Sequence, residues 1–253
     1  MEENYIQNQQ SNSIDKSDSW ELYEATVFGY RVDEEKMEFA RRPNTLWQNQ
    51  MDLTGIPGQF RDAYLDNFDF KLYHAKTEKL EAICQSFVKE FEKWQKLGCG
   101  VFIWSQTPGS GKTFLSCCLA NSVLVRNSLR VRFITSPDYI ATVGESYKRE
   151  RGAEDRSEIF RNCDLLVLDD VGAQKDGEWQ RQELFRLVNQ RTDDRKLTIF
   201  TSNFPPEKLN LDNRTIDRII TKSAVISLPE EPIRRRKASA EQQVLLNSIL
   251  NGE

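Results

Sequence analysis

The sequence predicts an α/β domain built on a parallel sheet, preceded by a small helical N-terminal segment. Three observations predict it. Short apolar strands alternate with helices of roughly 10–20 residues. One strand, Asp164-Leu-Leu-Val-Leu-Asp-Asp170, is apolar on both faces, as a parallel strand covered by helices must be. A glycine-rich turn joins a strand ending at Trp104 to a helix beginning at Lys112.

Residues 1–19 are rich in Asn, Gln and Ser and read as a disordered tail. Residues 20–54 carry apolar residues at mixed spacing among many acids and predict a small helical unit or linker. Breaks fall at Arg41-Arg42-Pro43-Asn44 and at Gly55-Ile56-Pro57-Gly58. The main domain is expected over 55–237, with a C-terminal tail over 238–253. Within the domain, Leu80, Ile83, Cys84, Phe87, Val88, Phe91 and Trp94 recur at i, i+3, i+4, which predicts one amphipathic helix from Thr77 to Leu97, stopped by Gly98. Val101–Trp104 reads as a strand, and Lys112–Arg126 as a helix with Leu115, Leu119 and Val123 on one face. Val131–Ile134 reads as a strand and Pro137–Arg151 as a helix. After the Asp164–Asp170 strand follow a helix over Gln180–Arg191, a strand over Leu197–Phe200 and a strand over Ala224–Leu228.

Composition excludes several classes. The five cysteines form no C-x-x-C and His74 is the single histidine, so neither a zinc site, a disulfide framework nor a Ser-His-Asp centre is expected. No run approaches the ~18 apolar residues of a membrane helix. The polar, acidic first twenty residues predict no secretory signal, so a cytoplasmic protein with reduced thiols is expected. Net charge is −4, but residues 1–60 hold five basic and eleven acidic groups, which leaves the remainder at +2. The acidic balance of the whole chain therefore does not exclude nucleic acid.

Pro108-Gly109-Ser110-Gly111-Lys112-Thr113 stands where a phosphate-binding loop must stand, between strand and helix. Glycines let successive N–H groups turn toward phosphate oxygens, and the helix N-terminus adds partial positive charge. Lys112 is placed for the β/γ phosphates and the Thr113 hydroxyl for Mg²⁺, with Phe114 following on the first turn. The pattern departs in one place: Gln106 stands where a glycine would open the loop. Asp169 and Asp170 end a buried strand. Alone they read as a turn start; downstream of a phosphate loop, Asp169 reads as the Mg²⁺ carboxylate and Asp170 as the group that polarises water. Asn203, after Leu197–Ser202, reads either as a plain turn or as a group orienting water or the γ-phosphate. Arg214 and Arg218 lie at i, i+4 on one helix face and read as solvated, or as groups reaching a neighbouring subunit's nucleotide. Arg234-Arg-Arg-Lys237 reads as a contact to phosphate, a DNA contact or solvated surface.

Taken together these motifs resemble the AAA+ ATPases of the bacterial replicative helicase-loader family (DnaC/DnaI type), with the IstB-type transposition ATPases close behind. The resemblance covers about residues 55–237. It rests on Ile56-Pro57-x-x-Phe60, Leu65-Asp66-Asn67-Phe68, the phosphate loop, Asp164–Ala173, Glu183-Leu-Phe185 with Val188-Asn189, Thr201-Ser-Asn203 and Asp217-Arg218-Ile219. It implies an AAA+ fold and ATP with Mg²⁺ as cofactors. It also implies Asn203 as the sensor-1 residue, Arg218 as the arginine finger with Arg214 beside it, and Arg234 as the sensor-2 arginine. Asp170 in place of a glutamate implies slow hydrolysis suited to a switch, and leaves open a nucleotide-gated adaptor with little hydrolysis. The resemblance further implies a replicative hexameric helicase as partner, gripped by the N-terminal part, self-association through the ATPase domain, and single-stranded DNA across a surface for which Arg130, Arg132, Lys148 and Arg149 are the candidates.

Overall fold

The structure, a computed structural model, describes residues 30–33, 38–41, 51–127, 129–147, 155–173, 177–239 and 242–243. Contacts divide the chain into two units, residues 1–50 and 51–253. In the first, strand β1 (Tyr30–Asp33) pairs antiparallel with β2 (Glu38–Arg41), setting Val32 opposite Phe39. This corrects the helical expectation for these residues. Tyr-Arg-Val-Asp alternates in polarity with period two, and both runs are too short for a helical periodicity to show. The expected tail over 1–19 lies outside the described residues.

After a helical stretch over 51–54, the second unit runs through three 3-10 turns, Gly58–Phe60, Leu65–Asn67 and Phe70–Leu72. Helices α1 (Glu78–Lys89) and α2 (Phe91–Leu97) follow where one helix is expected. The break is at Glu90, whose φ of −116° leaves the helical region. The i, i+4 spacing of Phe87 and Phe91 runs straight across it, so periodicity does not reveal it. The kink packs Phe91 and Trp94 edge-on against Phe87, with ring centroids 5.6 and 5.2 Å away. Gly98, at φ 61°, ends α2 in the left-handed conformation that glycine adopts without a Cβ penalty.

There follow β3 (Gly100–Trp104), α3 (Lys112–Arg126), β4 (Val131–Thr135), α4 (Ser136–Tyr147), α5 (Glu158–Asn162), β5 (Leu165–Asp169), α6 (Glu178–Asp193), β6 (Leu197–Ser202), α7 (Asn213–Thr221) and β7 (Ser223–Ser227). Residues 233–239 are helical. The strands form one sheet in the order β4-β5-β6-β3-β7, every neighbour parallel.

One face of the sheet carries Phe102, Leu166, Leu168 and Phe200, which join Tyr139 and Val143 of α4, Leu184 and Leu187 of α6 and Ile219 of α7 in one core cluster. By alternation Val101, Ile103, Leu165, Val167 and Ile199 belong to the other face. There α3 lies against β3, β5 and β6, and twelve of its fifteen residues are buried. A helix buried nearly all round needs cover on its far side too. That cover is α1 and the 3-10 turns, tied down by Asn121 Nδ2 donating to the Phe60 and Ala63 carbonyls, both at 2.8 Å, and by Leu65 N–H donating to Ser122 Oγ at 2.9 Å.

The seam between β3 and β6 is set by Gly100. A Cβ there would lie 2.1 Å from the Thr198 carbonyl oxygen, a distance no side chain tolerates.

Candidate functional site

Because the strands run in one direction, their C-terminal ends share one edge of the sheet. The chain leaves β3 there through residues 105–111, β5 through Asp169 and Asp170, and β6 through Asn203. Since β6 lies between β5 and β3, Asn203 emerges between the loop and the carboxylates.

The loop turns at Gly109 (φ 78°) and Gly111 (φ 104°). A Cβ at Gly111 would stand 2.9 Å from Tyr73 Oη, and one at Gly109 3.2 Å from Arg234 Cβ, so both positions lack conformational freedom and room for a side chain. Gln106 has no positive φ, which is why the missing first glycine leaves the cradle intact. Ser110 is fully buried beneath the loop, where its carbonyl accepts a hydrogen bond from Tyr73 Oη. The Arg234 N–H donates to the Gly109 carbonyl at 3.0 Å.

Lys112, 8% exposed, opens α3 and donates its ammonium protons to the carbonyls of Ser105 (3.0 Å) and Thr107 (3.2 Å). Burial lowers its pKa, and the charges of Asp170, Glu230 and Asp169 oppose that shift. Thr113 Oγ1 donates to Asp169 at 3.0 Å, and Thr201 Oγ1 donates to the same carboxylate. Burial pushes the Asp169 pKa up, and the two hydroxyls offset this only in part. Thr201 Oγ1 also accepts from the Asp170 N–H at 2.9 Å, which helps hold Asp170 at a φ of 58°, in the left-handed region. Asn203 Nδ2 donates to Asp170 Oδ1 at 3.2 Å.

One cavity of about 410 Å³ gathers Pro108, Gly109, Gly111, Lys112, Thr113, Phe114, Asp169, Asp170, Asn203 and Arg234. It also takes Phe60 and Ile233, which sequence reasoning did not single out as site residues, and Lys237, the end of the Arg234-Arg-Arg-Lys237 run. Phe60 stands in the Ile56-Pro57-x-x-Phe60 motif, and its ring lies 5.8 Å from that of Phe114. Ile233 precedes the Arg234-Arg-Arg-Lys237 run, so the neighbourhood was legible although the role of Ile233 was not.

These residues fit a nucleoside triphosphate with a divalent cation. The glycine cradle excludes Cβ atoms, Lys112 supplies a cation at its centre, and Thr113 with Asp169 offers the oxygen donors that a hard cation takes. Among the described residues no group of three or more His, Cys, Asp or Glu side chains forms another metal site. The thiols are free; burial pushes Cys84 and Cys117 up to about 12. They pack as apolar groups.

The remaining candidates stand elsewhere. Arg218 pairs with Asp193 at 3.2 Å, and Arg214 lines a separate cleft with Glu178, Arg181 and Phe185, so neither arginine serves the cavity of its own chain. On the candidate DNA surface, Arg130 is held by Asp164 through its Nε (3.2 Å) and Nη2 (3.1 Å), and Arg132 Nη1 donates to the Val131 carbonyl. Lys148 and Arg149 lie outside the described residues. No helix among the described residues is long and apolar enough to cross a membrane.

The buried Asp169 charge makes a testable demand. A carboxyl whose pKa is raised by folding stabilises the fold when protonated, and that contribution is lost as pH rises through the folded-state value. At neutral pH the ionised group therefore costs stability. Asp169→Asn is expected to melt a few degrees above wild type without nucleotide or divalent cation, about 1 kcal/mol for a chain this size, and to lose the stabilisation that wild type gains from Mg-ATP. A thermal-shift experiment in both buffers checks both halves.

Fold and site together define a P-loop nucleotide-binding protein of the AAA+ type. The family model described as IstB-like ATP binding protein matches residues 6–241, and the chain belongs to that family. It is 26% identical over 159 residues to the replicative helicase loader DnaC of Escherichia coli (strain K12), which covers 60% of this chain and 63% of DnaC. The chain thus spans about three fifths of the length of that relative. Over 122 residues it is 34% identical to the chromosomal replication initiator protein DnaA of Streptococcus equi subsp. zooepidemicus (strain MGCS10565), covering 47% of this chain and 27% of DnaA. Among solved structures, the DnaC helicase loader superposes with a TM-score of 0.59 at 22% identity, over 68% of this chain and all of that one. AMPPCP-bound DnaA from Aquifex aeolicus does so with a TM-score of 0.57 at 22% identity, over 76% of this chain and 57% of that one. At these identities the structures establish the fold.

Proposed function

We propose that the chain is an ATP-dependent loader that binds a replicative hexameric helicase and places it on single-stranded DNA. The observation that carries this reading is the gathering of Lys112, Thr113, Asp169, Asp170 and Asn203 around one cavity, in a chain similar to DnaC over 60% of its length. The loop amides and Lys112 bind the phosphates. Thr113 and Asp169 would hold Mg²⁺, which neutralises charge on the phosphate oxygens. Asp170, steadied on one oxygen by Asn203, polarises the attacking water with the other. An aspartate reaches one methylene less far than a glutamate, so turnover is slow and partner-stimulated, as suits a switch.

Arg218, with Arg214 beside it, faces away from its own cavity and completes that of an adjacent copy. Self-association then couples ATP binding to assembly. Residues 20–54 serve as the helicase-interaction segment, the domain over 55–237 works the nucleotide, and Arg130 and Arg132 belong to the surface that meets single-stranded DNA.

A second reading, kept because the matching family model is IstB-like, is a transposition-regulator ATPase acting on duplex DNA. One experiment separates the two. The protein is mixed with its host's replicative helicase and ATP, resolved by size exclusion with light scattering, and compared with Lys112→Ala. The loader reading expects a stable complex whose helicase moves onto single-stranded DNA with wild type only. If no helicase complex forms and ATP-dependent filaments appear on duplex DNA, the second reading replaces the first.

A further inference from the structure

The start of the phosphate loop is held by a residue from the other end of the domain. Glu230 follows β7, 124 residues away, and its carboxylate accepts three hydrogen bonds from the start of the phosphate loop. The donors are the Gln106 N–H at 2.9 Å, the Thr107 N–H at 2.6 Å and Ser105 Oγ at 3.1 Å. Burial disfavours the ionised carboxyl, but the bonds from Thr107, Gln106 and Ser105 outweigh it and hold the pKa below the ordinary glutamate range. Glu230 is therefore a fixed anion at neutral pH.

The peptide joining Ser105 to Gln106 has Glu230 on one side and Lys112 on the other. Its N–H donates to the carboxylate, and its carbonyl accepts from the Lys112 ammonium at 3.0 Å. A trans peptide points these groups in opposite directions, and no cis bond occurs among the described residues. The result is a chain of carboxylate, polarised peptide and ammonium in which each bond strengthens the next. Next to it, Glu231 accepts from the N–H groups of His74 and Ala75 and pairs with Arg236 at 2.9 Å, while the Arg234 N–H holds the Gly109 carbonyl. The 230–236 segment is thus anchored on both sides of Glu230, and the carboxylate has a fixed place from which to act.

We propose that Glu230 is a positioning residue of the nucleotide site: through the Ser105–Gln106 peptide it shapes the start of the phosphate loop and presents the Lys112 ammonium to the phosphates. The proposal rests on the reading of this cavity as a nucleotide site. Three convergent bonds fix the start of the loop from outside.

Glutamine at 230 keeps the length but removes the charge, and its amide group turns a donor toward donors. Aspartate keeps the charge one methylene shorter. The test titrates Mg-ATP calorimetrically into wild type, Glu230→Gln and Glu230→Asp, with melting temperatures and the amide-proton shifts of Gln106 and Thr107 alongside. Glu230→Gln is expected to bind about tenfold more weakly, to melt within a few degrees of wild type and to move both amide protons upfield. Glu230→Asp is expected to stay within about threefold of wild type. Unchanged affinity in Glu230→Gln overturns the proposal. So does an equal loss in both variants that tracks a fall in melting temperature, since that marks a merely structural carboxylate. If wild type itself fails to bind Mg-ATP, the nucleotide reading falls, and this inference with it.

Discussion

Arg191→Ala is expected to destabilise the domain by about 3–5 kcal/mol, a large share of the ~5–15 kcal/mol that holds a domain of this kind together. Arg191 is 1% exposed near the C-terminal end of α6. Its Nε donates to Thr198 Oγ1 at 2.9 Å, and Nη1 to the carbonyls of Phe160 (2.8 Å), Arg161 (3.2 Å) and Cys163 (2.9 Å). Nη2 donates to the Leu197 carbonyl. One planar fork therefore ties together α6, the turn out of α5 into β5 and the first residues of β6. Burial lowers its pKa, so the charge is held at a cost that these acceptors offset. Alanine leaves the carbonyls buried without donors and opens a void the size of the side chain. Lysine, with three donors at one point, cannot span acceptors spread across three elements and is expected to recover less than half the loss. Urea denaturation measures both variants. A midpoint for Arg191→Ala within experimental error of wild type sinks the argument.

Lys112→Ala is expected to weaken Mg-ATP binding by two to three orders of magnitude while leaving the fold standing. Each hydrogen bond from a charged group contributes about 1.5–3 kcal/mol, and the ammonium is placed to make more than one to the phosphates. The fold does not depend on it in the same way, because removing a buried cation also removes its desolvation cost. The carbonyls of Ser105 and Thr107 lose a partner, so the melting temperature is expected to change by only a few degrees in either direction. Calorimetric titration with Mg-ATP reads the first effect and a thermal melt the second. An affinity within about threefold of wild type would remove Lys112 from the binding machinery.

The architecture was legible because its signals are local. Buried strands such as Leu165–Asp169 announce themselves by an unbroken apolar run, here Leu165 to Leu168, and α1 by its i, i+3, i+4 stripe. The phosphate loop and the Asp169–Asp170 pair were legible for the same reason: their chemistry is contiguous in the chain. What escaped depends on residues far apart. Glu230 reaches its partners across more than 120 residues, and nothing around it in the sequence marks it as different from Glu231. Arg191 reads as the charged end of an amphipathic helix, and only the packing of α5 against α6 turns it inward. Thr201 looks like an ordinary strand residue until β5 lies beside β6 and its hydroxyl meets Asp169. Glu90 interrupts a helix whose apolar spacing continues unbroken on both sides.

Gly100 sits at the edge of the sheet opposite the nucleotide cavity. Yet it fixes how closely β3 approaches β6, pressed against the Thr198 carbonyl of a residue whose hydroxyl also takes the Nε bond of Arg191. From there the register runs without a bulge through Val101–Ile199 to Trp104–Ser202, and the Ser105 N–H meets the Ser202 carbonyl at 3.3 Å just before the two strands deliver the loop and Asn203. A substitution at Gly100 wedges the far end of this pair and is felt where the strands finish. In a screen scored by nucleotide binding, position 100 would therefore rank beside residues of the phosphate loop, and a map of sensitive positions drawn on the sheet would show a line crossing it from edge to edge rather than a ring around the cavity.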